Sequence, residues 1–134
     1  MIHIGAWSIL PAGILGFLVG GLWYGPLFGK AWMAARGFTA ESAKQGANMA
    51  LIFGLTFLLN LFSAAVLYHV MEHVGADNIH IAIMIAGGAA LGFVIPSMGV
   101  NYLFSRMTLK LFLIDAGYWL VIYVLMGLLL FYLR

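Results

Sequence analysis

Side chains with the types and spacing for chemistry fall into three groups. His69 and His73 stand four residues apart, so a helix would present both imidazoles on one face, with Glu72, Asp77 and His80 close by in sequence. Such a set carries the donors for a zinc or copper ion, although two histidines at this spacing also serve simply to hydrate a helix end. An axial haem pair would need histidines facing across helices at matched depth, a condition that only His69 with His80 approaches. Asp115 is an acid inside an apolar run, and together with Asn101 it would form a proton or cation site. The third group is aromatic. Trp23, Tyr24, Pro26 and Phe28 in GLWYGPLF would be joined by Tyr102, Tyr118 and Trp119 wherever the segments carrying them meet, as a site for ligand, lipid or packing.

The elements that must position these residues follow from composition. Of 134 residues, 65% are hydrophobic and 7% charged, with a mean hydropathy of +1.09. A water-soluble domain of this length could not cover so much apolar surface with ten charges. The expectation is a single membrane domain over residues 1–134. Cysteine is absent, which excludes disulfides, iron-sulfur ligation and thiol redox chemistry. No basic leader or small-residue cleavage motif precedes the first apolar run, so the start of the chain reads as a span rather than a signal peptide.

A membrane-crossing helix takes about 20 mainly apolar residues. Four segments qualify, at about 5–28, 48–72, 79–104 and 109–133, which predicts an all-α bundle of four transmembrane helices. The first and third breaks carry Lys30, Arg36, Lys44, Arg106 and Lys110, and the second carries neither Lys nor Arg. The positive-inside rule then places both termini on the outer side, with Arg134 as the exception. Trp7 and Trp23, sixteen residues apart, mark the two interfaces, and Gly25-Pro26 ends or bends the first helix. Thr39 reads as the N-cap of a short surface helix in the first loop, with Glu41 in its first turn and Lys44 behind it. Trp32, Met33 and Phe38 would then rest in the interface.

Gly16 and Gly20 in the first span, and Gly88 and Gly92 in the third, have the spacing that lets helices approach closely in lipid. Pro96 predicts a kink that frees the carbonyl of Gly92 for Ser97, water or a substrate. Asn60, near the middle of the second span, reads as a hydrogen-bond link to a neighbouring helix. GLWYGPLF and GVNYLF end the first and third spans alike, a faint echo that shared interface composition also explains. Asn101 and Asp115 lie five residues from Arg106 and Lys110 respectively, hence at similar depth. Asp115 would there clamp helices together through Tyr24, Asn101 or a basic residue of the loops, Lys30, Arg106 or Lys110.

The stretches LWYGPLFGKAWM, NYLFSRMTLKLFLIDAGYWLV and MGLLL resemble the bacterial membrane-protein family catalogued as domain of unknown function 1761. The likeness is carried by Trp23, Tyr24, Pro26, Phe28, Gly29 and Trp32, then by Asn101-Tyr102 and Gly117-Tyr118. It implies the four-span architecture and a place in the bacterial cytoplasmic membrane, and brings no reaction. Many members carry Asn where Asp115 stands and His where Trp119 stands, which implies that position 115 does not require an ionisable carboxylate. The acidic residue that small multidrug carriers use in their first span is absent, as are the intramembrane arginines of four-span glutathione enzymes, any P-loop and any Gly-rich dinucleotide turn. The basic residues are accounted for by topology, so no nucleic acid is expected, and no cofactor. The resulting expectation is a non-catalytic bundle that self-associates or serves as an accessory, lipid-contacting subunit of a larger membrane complex. The alternatives are a small proton-coupled or cation carrier using Asp115 and Asn101, and an outer-face metal binder using His69, His73 and His80.

Overall fold

The computed structural model describes residues 4–39, 41–42 and 46–133. Lys44 and Arg134, which enter the first-loop helix and the orientation, lie outside the described residues. Four helices are long and apolar enough to cross a membrane: span one, Ala6–Leu27; span two, Met49–Val74; span three, Ile79–Phe104; and span four, Leu109–Leu133. No strand occurs among the described residues. The chain therefore has the composition and architecture of a multi-pass membrane protein, as its apolar runs predict.

Polar residues at the breaks define the helix ends. The Asn48 side chain accepts from the Leu51 amide at 3.1 Å, Asn78 from Ile81 at 3.1 Å and Thr108 from Leu111 at 3.2 Å. Each satisfies an amide that the first helical turn leaves unpaired. Gly75 closes span two with a φ of 74°, a left-handed conformation that suits glycine. In the first loop the surface helix comes earlier than expected, at Gly29–Arg36. Thr39 does cap a turn, with its hydroxyl oxygen accepting from the Ser42 amide at 3.0 Å, and residues 43–45 lie outside the described residues.

Two π-turns interrupt the regular spans, at Trp23–Leu27 and Ala90–Val94. In the first, the Phe28 amide donates to the Trp23 carbonyl at 2.8 Å, skipping one residue more than an α-helix would. In the second, Ile95 donates to Ala90. Each lies at or just before a proline, Pro26 and Pro96, which cannot donate to the carbonyl four residues back. A widened turn accompanies Pro96, and the Ser97 hydroxyl donates to the Phe93 carbonyl at 2.6 Å rather than to that of Gly92.

Span four forms the centre of the bundle, with Leu111, Ile122, Met126 and Leu130 at most 1% exposed. Span one lies against spans two and four, and span three mainly against span four. Gly16 permits the first approach: a Cβ there would stand 2.8 Å from Met126 Cε and 3.2 Å from Asn60 Cγ. Gly20 sits over the Tyr118 hydroxyl. The glycine pair expected to pack span three does not do so within the chain. Gly88 and Gly92 face open space, and span three instead buries Ala82, Ala86 and Ala90. The close approach is supplied from the other side by Gly127, where a Cβ would fall 2.5 Å from that of Ala86.

Candidate functional site

The aromatic residues and Asp115 meet at the end of the bundle that carries Lys30, Arg36, Arg106 and Lys110. The π-turn of span one stacks Trp23 and Tyr24 side by side against span four. The Tyr24 hydroxyl donates to Asp115 Oδ1 at 2.6 Å, and the Tyr102 hydroxyl of span three donates to Asp115 Oδ2. One residue earlier, the Trp23 indole N–H donates to the Ile114 carbonyl at 2.9 Å. One turn later, the Tyr118 hydroxyl donates to the Gly16 carbonyl at 2.8 Å. Asp115 is thereby 7% exposed with each carboxylate oxygen capped by a phenol, and three spans are joined at one residue.

Rings fill the space around it. Tyr24 lies 5.4 Å from Tyr118 and 6.0 Å from Trp32, centroid to centroid. Phe28 stacks on Trp23 at 4.6 Å, and Tyr118 meets Trp119 edge-on at 4.9 Å. Pro26 and Phe28 are exposed on the rim. The short helix Gly29–Arg36 folds back over this cluster, and the Arg36 guanidinium sits 5.7 Å from the Trp32 ring and 5.2 Å from Phe38, a cation-π contact at each. Gly29 makes that return possible, since a side chain there would run into the Tyr24 carbonyl.

The structure brings the expected aromatic residues together around Asp115, with one correction. Asn101 is exposed, and among the described residues its side chain makes no hydrogen bond with Asp115. Tyr102, its neighbour, occupies that place. None of the basic residues forms an ion pair with Asp115 among the described residues, so the acid is held by phenols rather than by a cation. Trp32 and Arg36 complete the cluster; the sequence reads Trp32 as an interface residue that also carries the family likeness, and Arg36 as a charge that sets topology.

Asn60 is 2% exposed and lies against Gly16. Its side chain reaches the Tyr118 hydroxyl of span four, the interhelical contact expected of it, although the amide nitrogen makes no hydrogen bond of full geometry. The Tyr68 hydroxyl is likewise buried and unpaired.

At the opposite end, His73 spends its Nδ1–H on the His69 carbonyl at 2.9 Å, and the His69 ring rests edge-on against Tyr68 at 5.8 Å. No three His, Asp or Glu side chains among the described residues converge to hold a metal ion, so His69, His73 and His80 do not form a ligand set there.

A family model described as a protein of unknown function, DUF1761, matches residues 7–131 of the chain. No curated protein and no solved structure matches it.

Proposed function

Since the chain belongs to the DUF1761 family, we propose that it acts as a non-catalytic membrane helix bundle. In this reading it associates with a second copy or serves as an accessory, lipid-contacting subunit of a larger membrane complex. The observation that carries this is the treatment of Asp115. An intramembrane acid used in transport or catalysis faces a cavity or a mobile partner. Here both oxygens are occupied by tyrosines of two other spans, and Asn101, the second residue of a carrier site, is turned away. The acid is an internal fastening.

Association is supported by what the fastening leaves outside. Span three presents Met84, Leu91 and Phe93 at 72%, 58% and 77% exposure, with the bare backbone of Gly88 and Gly92 between them. Bare glycine backbone is where helices approach most closely in lipid. In the cell the basic end would face the cytoplasm of a bacterium, where its Lys and Arg side chains meet anionic headgroups.

The test is native mass spectrometry of the protein released gently from its own membrane, together with Gly88→Ile. The expected result is a homo-oligomer or a complex with other subunits that Gly88→Ile dissociates. A monomer carrying only exchangeable lipid, unchanged by the substitution, would refute association. Loss of a solute flux in Asp115→Asn, with the fold intact, would refute the non-catalytic reading.

A further inference from the structure

A second candidate site lies away from Asp115. It is a cleft of about 590 Å³ between spans two, three and four, within the size range of small-molecule sites. The π-turn of span three shapes one wall: Gly88 and Ala89 precede it, and Phe93 and Val94 end it. Turns of this kind recur at functional sites because they redirect side chains without breaking the helix. Phe62, Met84 and Phe93, 68%, 72% and 77% exposed, form the rim, so the cleft opens sideways toward lipid.

Only two residues lining it carry polar side chains, Ser63 and Tyr123. Among the described residues neither hydroxyl has a hydrogen-bond partner. Ser63 stands 11 residues from the end of span two at Val74, and Tyr123 stands 10 from the end of span four at Leu133. At about 1.5 Å per residue both lie near the midplane of a hydrocarbon layer about 30 Å thick. Unpaired hydroxyls are costly there, since no water reaches them.

We propose that this cleft binds a planar, neutral lipophile bearing carbonyl oxygens, of the quinone class. Its occupant must satisfy two hydroxyls at the midplane. A phospholipid acyl chain has no acceptor at that depth, because its ester oxygens stay at the interface, and a charged solute would not enter. A flat ring with carbonyl acceptors supplies what Ser63 and Tyr123 lack, meets the aromatic side chains of Phe62, Phe93 and Tyr123 in the lining, and reaches the opening from within the bilayer. This inference goes beyond the proposed function and shares its face, since Met84, Gly88 and Phe93 border both the cleft and the association surface; Ser63→Ala and Tyr123→Phe, which leave that face unchanged, separate failure of the one from failure of the other.

The experiment titrates a decyl-substituted benzoquinone into the protein in phosphatidylcholine nanodiscs. It follows quenching of tryptophan fluorescence, for which Trp119, 6.2 Å from Tyr123, is the local reporter. The expected result is saturable quenching that Gly88→Phe abolishes. A Cβ at Gly88 meets no atom within 4 Å, so that side chain has room to fill the cleft without disturbing the helix. Ser63→Ala and Tyr123→Phe, which change no packing volume of consequence, are each expected to weaken binding by roughly 3- to 10-fold, the worth of one net hydrogen bond. Quenching that rises without saturation, or is equal in the Gly88→Phe protein, would overturn the proposal. So would displacement of the probe by decylbenzene at equal concentration, because that would make the occupant a plain hydrocarbon chain.

Discussion

Removing both phenols from Asp115 tests the fastening most directly. Tyr24→Phe or Tyr102→Phe alone deletes one hydrogen bond to a carboxylate and leaves the other in place. Side-chain hydrogen bonds within membrane bundles average about 0.6 kcal/mol and reach about 1.7, while bonds to charged groups run to about 1.5–3. Each single variant should therefore lose about 1–1.5 kcal/mol. The double variant strands a carboxylate that is 7% exposed and, among the described residues, has no ion-pair partner. Leaving one buried charge uncompensated costs about 3–5 kcal/mol, more than the sum of the singles. Adding Asp115→Leu to the double variant removes the charge and should return stability to within about 2 kcal/mol of the wild type. The assay is reversible unfolding in mixed micelles titrated with dodecyl sulfate. The signal is tryptophan emission, because the Trp23 indole loses its bond to Ile114 as spans one and four part. A double variant that merely adds the two singles, or a triple variant no more stable than the double, would refute the clamp.

Three further outcomes rest on packing and backbone geometry. Gly127→Ala places a methyl 2.5 Å from Ala86 Cβ and 3.3 Å from the Ala82 carbonyl, so it should cost about 1–3 kcal/mol by overpacking, whereas Gly88→Ala should stay within about 0.5 kcal/mol; the same unfolding titration compares them. Asn60→Leu removes a buried amide whose nitrogen lacks a bond of full geometry but which reaches the Tyr118 hydroxyl, so the two effects offset and stability should stay within about 1 kcal/mol of the wild type; a larger loss would mean that the Tyr118 contact is a full hydrogen bond. Gly37→Ala introduces a Cβ at a φ of 74° and should loosen the end of the Gly29–Arg36 helix at a cost of about 1–2 kcal/mol, read as faster amide exchange at Trp32 and Met33.

Much of this arrangement is legible in the sequence for simple reasons. Apolar runs of 22 to 26 residues bounded by Asn48, Asn78 and Thr108 leave little freedom over where helices start. Counting from the charged breaks places Tyr24 and Asp115 at one depth, and they meet. The error over Asn101 has a definite physical origin. Continuing the buried face of Ala82, Ala86 and Ala90 at 3.6 residues per turn brings positions 97 and 101 inward. The π-turn at Ala90–Val94 adds about one residue to that count. The residues that then face the bundle are Met98 and Tyr102, half-buried, with Asn101 outside. Pro96 signals that something happens there but does not say whether the helix bends or widens. The Gly88/Gly92 spacing does not locate the close approach within the chain for a different reason: that approach is made by Gly127, a lone glycine with no partner at four residues' distance. Ser63 and Tyr123 are invisible for a third reason, since single hydroxyls in apolar runs are ordinary until the cavity between them is known.

The carboxylate that ties the bundle together belongs to the fourth span, and this bears on how the protein is made. Synthesis delivers spans one to three to the membrane first, so Tyr24 and Tyr102 enter the bilayer before their common acceptor exists. Spans one and two can pair at once through Gly16, but span three has little to hold it until span four arrives. Insertion of span four brings an acid into lipid, a step opposed by about 2.5–3.5 kcal/mol at a helix centre and less toward the interface. Two waiting phenols offset that cost. Assembly is then completed by the same event that buries the charge, and a chain in which span four fails to dock would expose both an acid and a loose third helix to the quality-control proteases of the membrane.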